Sequence, residues 1–142
     1  MINGSFKSYS YEDTLAIGER IAKELTGKEV IALFGGLGMG KTALTTGIVN
    51  GLGAEHCVSS PTFAIVNEYH AKFTIYHFDM YRISDWDDLY SVGFFDYLDN
   101  GILIIEWSEN IENALPEKYI RVEIQKGEQE NERIINVRGA EK

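Results

Sequence analysis

Apolar positions along the chain switch between two periods, and the switches mark its elements. Leu15, Gly18, Ile21, Ala22 and Leu25 recur at helical spacing, which predicts an amphipathic helix over 11–25. Ser10 is its expected N-cap, Glu12 and Asp13 fall in its first turn, and Thr26-Gly27 ends it. Val30-Ile31-Ala32-Leu33-Phe34 is an unbroken apolar run, the pattern of a central parallel strand covered on both faces. Ala43 to Leu52 predicts a second helix, stopped by Gly51-Leu52-Gly53. Phe63–Tyr69 and Phe73–Phe78 read as strands separated only by His70-Ala71-Lys72, hence an antiparallel hairpin. Ser84 is the expected cap of a short acidic helix, which Gly93 breaks before one more turn over 94–98. Ile102-Leu103-Ile104-Ile105 repeats the buried-strand pattern and ends in Glu106-Trp107, and Pro116 closes the loop after it. Ile120, Val122 and Ile124 then alternate with Arg121, Glu123 and Gln125, and a similar strand at 133–138 follows a polar turn at 127–131. A short strand is expected around Phe6, and no internal repeat or linker interrupts the chain.

Between the first apolar strand and the second helix lies a glycine-rich stretch. Gly35, Gly36, Leu37, Gly38, Met39, Gly40, Lys41 and Thr42, with Ala43 behind them, fit G-x-x-x-x-G-K-[ST] at Gly35, Gly40, Lys41 and Thr42. Glycines permit positive φ, so successive N–H groups can turn toward phosphate oxygens. The following helix adds its unpaired N–H donors and the positive end of its dipole. Lys41 is the expected contact to the β- and γ-phosphates, and the Thr42 hydroxyl a ligand of Mg²⁺. The strand–loop–helix context predicts one α/β domain over 1–142: a P-loop NTPase-like three-layer fold. Its central sheet is mixed and mostly parallel, with a C-terminal β-hairpin.

Composition narrows the class. The 142 residues are 44% hydrophobic and 25% charged, ordinary for a globular domain. The formal net charge of −9 argues against a chain that binds nucleic acid by itself, since contacts to phosphate dominate that affinity. Cys57 is the single cysteine, and the three histidines show no metal-site spacing. No stretch has the length of a membrane span or a signal h-region, so a cytoplasmic protein is expected.

A phosphate loop does not say what becomes of the nucleotide; carboxylates at strand ends say more. Ligands of open α/β sheets lie beyond the carboxyl ends of the strands. Asp79 and Glu106 both fall at such ends. Either can complete a Mg²⁺ shell with Thr42, and the other can position or deprotonate an attacking water. The ordinary alternatives are a turn aspartate and a solvated strand-end glutamate. Ser60 and Thr62 supply hydroxyls in a loop that can close over the γ-phosphate, or merely hold a local turn. Arg82 can pair with Asp79, stabilise charge, meet a partner or lie plainly at the surface. His77 is read as a packed core histidine, and Trp86 and Trp107 as core or interface residues.

GGLGMGKT, SSPTFAIVNEY, YHFDMYR and the strand end IIEW, in that order, resemble the TsaE (YjeE) family over about residues 10–125. The resemblance implies a small P-loop ATPase of bacterial tRNA threonylcarbamoyladenosine synthesis, using ATP and Mg²⁺. It implies action on the TsaD and TsaB proteins, with tRNA engaged only through that complex and no membrane involved. Hydrolysis would then drive a reset step rather than bond formation. By position, Lys41 and Thr42 look like the phosphate and Mg²⁺ residues and Glu106 like the Mg²⁺-side carboxylate. Asp79 looks like the strand-end acid needed for activity, Ser60 and Thr62 like switch-loop residues, and Trp107 like the aromatic beside the nucleotide. Two positions depart from the pattern: Gly36 stands where the family often has aspartate, and Ala43 where it often has threonine. The competing readings are a small metabolite kinase and a nucleotide-dependent binding module. The scarcity of arginine, five in all and unclustered, disfavours the kinase.

Overall fold

The computed structural model describes residues 3–35, 40–54 and 66–139. One seven-stranded sheet runs through the molecule in the order β1-β7-β6-β2-β5-β4-β3. The strands are β1 (Gly4–Ser8), β2 (Val30–Phe34), β3 (Val66–His70), β4 (Thr74–Asp79), β5 (Ile102–Glu106), β6 (Ile120–Lys126) and β7 (Arg133–Arg138). The joins β6–β2, β2–β5 and β5–β4 are parallel; β1–β7, β7–β6 and β4–β3 are antiparallel. Because β1 reverses the reversal of β7, only β3 and β7 run against the other five strands. The expected mixed, mostly parallel sheet is therefore present, and so are both expected hairpins, β3–β4 at one edge and β6–β7 with β1 beyond it at the other.

Alternation along β2 and β5 builds two cores. Ile31, Leu33, Ile102 and Ile104 face one layer of two helices, α1 (Tyr11–Ala22) and α2 (Lys41–Gly51). Val30, Leu103 and Ile105 face the other layer, α3 (Trp86–Ser91), α4 (Phe94–Tyr97) and the 3₁₀ segment Ser108–Ala114. All five residues of β2 and all five of β5 are buried, as strands covered on both faces must be.

Several boundaries differ from the sequence expectation. The first helix ends at Ala22, and Leu25 is buried from the turn beyond it, so helical spacing of apolar residues outlasts the helix. The second begins at Lys41, with Gly40 in the left-handed region at φ 94° as its N-cap. Asp85, not Ser84, caps α3: Asp85 Oδ1 accepts from the Asp88 N–H at 2.8 Å, while the Ser84 hydroxyl donates to Asp88 Oδ2 at 2.9 Å. The 3₁₀ segment stands where an irregular loop was expected. Among the described residues no helix is long and apolar enough to cross a membrane.

Candidate functional site

The parallel strands β2, β5 and β4 lie side by side, so their carboxyl ends share one edge of the sheet. β2 delivers Gly35, β5 ends at Glu106 and β4 ends at Asp79. Asp79 pairs with Glu106 in the ladder, which makes the two carboxylates direct neighbours. Strand alternation points Glu106 to the same face as Ile102 and Ile104, and Asp79 and His77 to the face of Ile75; all three isoleucines belong to the core under α1 and α2. That is the face over which α2 carries Lys41, Thr42 and Ala43 in its first turn.

Lys41 is the centre of this edge. It is 6% exposed, and its ammonium donates to the Gly35 carbonyl at 2.5 Å. Nζ also lies 3.6 Å from the centroid of the Trp107 ring, a cation–π contact. Burial pushes the ammonium below the ordinary lysine value, while the carboxylates of Glu109, Glu106 and Asp79 act in the opposite sense. Trp107 reaches this position from a left-handed backbone, φ 59° and ψ 41°. For a non-glycine residue that conformation costs about 1–3 kcal/mol. The turn is held by the Ser108 hydroxyl, which donates to the Ile105 carbonyl at 2.9 Å, and by the Asn110 amide N–H, which donates to the Trp107 carbonyl at 3.0 Å.

Three polar contacts here were not foreseen from the sequence. His77, fully buried, donates from Nε2 to Glu106 Oε2, and its Nδ1 has no partner among the described residues. The carboxylate therefore fixes the ring proton on Nε2, and His77 in turn fixes the rotamer of Glu106. His77 packs as a core residue, as expected, but its polar edge belongs to the site. Period-two spacing was the signal that could have shown this: His77 lies two residues before Asp79 on the same strand. Glu109 Oε2 accepts from the Gly35 N–H at 2.8 Å and so joins the 3₁₀ segment to the start of the glycine stretch. The Asn110 side chain donates to the carbonyls of Met80 at 2.8 Å and Tyr81 at 3.2 Å, tying the turn after β4 to the turn after β5. Nothing in the sequence marks Glu109 or Asn110.

The structure thus gathers Gly40, Lys41, Thr42, Ala43, Asp79, Glu106 and Trp107 along one edge. Gly36, Leu37, Gly38, Met39, Ser60 and Thr62 lie outside the described residues. Arg82 is exposed and makes no ion pair with Asp79, whose Oδ1 instead accepts from the Tyr81 N–H at 2.9 Å. No group of three or more metal-binding side chains occurs among the described residues. A Mg²⁺ ion held mainly by phosphate and water needs only one or two protein oxygens, and Thr42 and Glu106 are the residues here that could supply them. Glu106 Oε2 is anchored to His77.

Known proteins similar to this chain identify its family. The family model described as "Threonylcarbamoyl adenosine biosynthesis protein TsaE" matches residues 8–135. The tRNA threonylcarbamoyladenosine biosynthesis protein TsaE of Treponema pallidum is 33% identical over 118 residues, 82% of this chain and 87% of the relative. The protein of the same name from Bacillus subtilis is 35% identical over 130 residues, 89% of this chain and 81% of the relative. A crystal structure of YdiB from Bacillus subtilis superimposes with a TM-score of 0.76 at 29% identity, covering 99% of this chain and 87% of that one.

Proposed function

The chain belongs to the TsaE family, and from that premise we propose that it is a Mg²⁺-dependent ATPase serving the threonylcarbamoyladenosine modification of tRNA. It acts on the TsaD–TsaB complex, with hydrolysis driving a reset between turnovers and tRNA met only through that complex. The observation that carries the reading is Lys41. A buried ammonium at the N-terminus of a helix, beside a glycine-rich stretch and within the field of three carboxylates, is placed for a polyphosphate. The Gly35 carbonyl and the Trp107 ring hold that ammonium in its place.

Thr42 and Glu106 are the residues that would hold Mg²⁺, which when bound neutralises charge on the β- and γ-phosphates. Lys41 orients the same phosphates. Asp79, neighbour of Glu106 across the ladder, is the carboxylate left to orient the attacking water. Its Oδ1 is steadied by the Tyr81 N–H, which fixes its direction. Trp107 covers one side of the Lys41 ammonium and would limit water around the phosphates.

The test is phosphate release by the purified chain, alone and with TsaD and TsaB. Slow release alone and faster release with both proteins is the expected result. Transfer of phosphate to a small acceptor rather than to water would defeat the reading in favour of a kinase. Lys41→Ala should abolish nucleotide binding or turnover, and unchanged turnover would remove the loop from the site.

A further inference from the structure

The helical layer opposite α1 and α2 differs from the rest of the molecule in two ways. The first is a packed cluster of three aromatic rings, two of them exposed; the other exposed tyrosines, Tyr9, Tyr11 and Tyr81, lie outside it. Trp86 is 50% exposed and Tyr90 is 65% exposed, although both rings pack together against Phe95. Trp86 and Phe95 stack nearly parallel, 6° apart in plane with centroids at 5.9 Å. Rings held in one geometry yet left wet lose little conformational entropy on binding, which is why such residues anchor interfaces. Beside Trp86 a groove of about 300 Å³ runs between the start of α3 and the 3₁₀ segment, and Asp85, Glu109, Asn110 and Glu112 line it.

The second difference is charge. Residues 83–117 contain nine Asp and Glu and no Lys or Arg, and this leaves 13 acids against 13 bases in the remainder of the chain. The whole net charge of −9 is thus carried by one continuous segment. That segment supplies α3, α4, β5 and the 3₁₀ segment, and of its acids β5 holds only the buried Glu106. The layer is therefore negative while the rest is balanced.

We propose that this face docks a protein surface bearing exposed arginine and lysine, with one cationic side chain entering the groove beside Trp86. Charge decides the occupant. Nucleic acid and anionic lipid would be repelled, and a second copy of the chain would meet its own negative face. A guanidinium in the groove gains the face of Trp86 together with the carboxylates of Asp85, Glu109 and Glu112, the last shared with Arg121 at 3.3 Å. Glu109 also accepts from the Gly35 N–H, so a cation that draws on this carboxylate acts directly on the start of the glycine stretch. Partner docking and the nucleotide edge then share one side chain. The inference rests on the reading of the chain as an ATPase acting on a protein complex, and it assigns the surface that meets that complex.

The experiment measures binding of the full chain to purified TsaD and TsaB across a salt series, for the unaltered protein, Trp86→Ala/Tyr90→Ala and Asp87→Lys. These side chains are exposed, and phosphate release by each variant without partners should match the parent. Affinity should fall roughly tenfold or more in both variants, and that of the parent should weaken steadily with salt. Binding by the parent that neither variant weakens would overturn the docking surface and leave the ATPase reading standing. Parent binding insensitive to salt would overturn its electrostatic basis. No binding by the parent to either protein would overturn both.

Discussion

Replacing Gly47 by alanine sets two effects of known size against each other. α1 and α2 cross at backbone distance. A methyl on Gly47 would sit 2.3 Å from the Leu15 carbonyl oxygen, one on Gly18 would lie 2.6 Å from the Leu44 carbonyl oxygen, and one on Gly51 would lie 2.7 Å from Ala22 Cβ. Ordinary contact begins near 3.4 Å, so at Gly47 the helices must part by about 1 Å. The obstacle is a carbonyl locked in its own helix and cannot rotate away. Overpacking of this kind costs about 1–3 kcal/mol. Opening the seam also weakens the contacts of Ile17, Ile21, Leu44 and Ile48, which lie in the core around it, since a gap of 0.5–1 Å forfeits about a quarter to a half of each contact. Against this, alanine in place of a mid-helix glycine returns at most about 1 kcal/mol of helix propensity. The steric term wins, by up to about 2 kcal/mol. In a chain of this size that lowers the melting temperature by up to roughly 6–8 °C. Thermal and urea unfolding measure it, with the urea slope unchanged. Lys41 and Thr42 lie on the same helix, so nucleotide affinity should fall as well. A melting temperature equal to or above the parent's would refute the argument, because the helix pair would then absorb the methyl without cost.

Two further outcomes follow from the site. Burial holds the Lys41 ammonium below its ordinary value of 10.5, so the unfolded chain binds that proton more tightly; stability should rise with pH from the folded value up to 10.5. Lys41→Met removes the buried charge and should melt higher than the parent near neutral pH without nucleotide, flatten the alkaline rise, and abolish stabilisation by ATP. A lower melting temperature would show that the three carboxylates outweigh burial. His77→Leu takes away the hydrogen bond that orients Glu106, and should weaken Mg²⁺-dependent nucleotide affinity by about 10–100-fold while leaving Mg²⁺-free binding alone. His77→Gln, which keeps an N–H donor, should recover part of the loss, and an unchanged Mg²⁺ titration of the leucine variant would refute the positioning role.

Most elements and the outline of the site are legible in the sequence because they depend on local rules. Unbroken apolar runs mark β2 and β5, helical spacing and a serine cap mark α1, and alternation marks β6. Lys41 and the two strand-end acids, Asp79 and Glu106, follow from the chemistry of residues at element ends. Tertiary structure decided which ends meet. An apolar strand pairs equally well with several others, and only packing of the whole sheet places β2 between β5 and β6 and β5 beside β4. That order puts Asp79 next to Glu106 and brings Trp107 to Lys41. The roles of His77, Glu109 and Asn110 depend on polar atoms separated in sequence approaching within hydrogen-bond distance, which no periodicity encodes. The 3₁₀ segment escaped notice for the same reason: among its polar residues Ile111 is the only large apolar side chain, so its course is dictated by the neighbours it packs against. Local propensity is settled over a few residues, whereas the contacts that bring Lys41, Asp79, Glu106 and Trp107 to one edge are settled by the approach of strands and turns far apart in the chain.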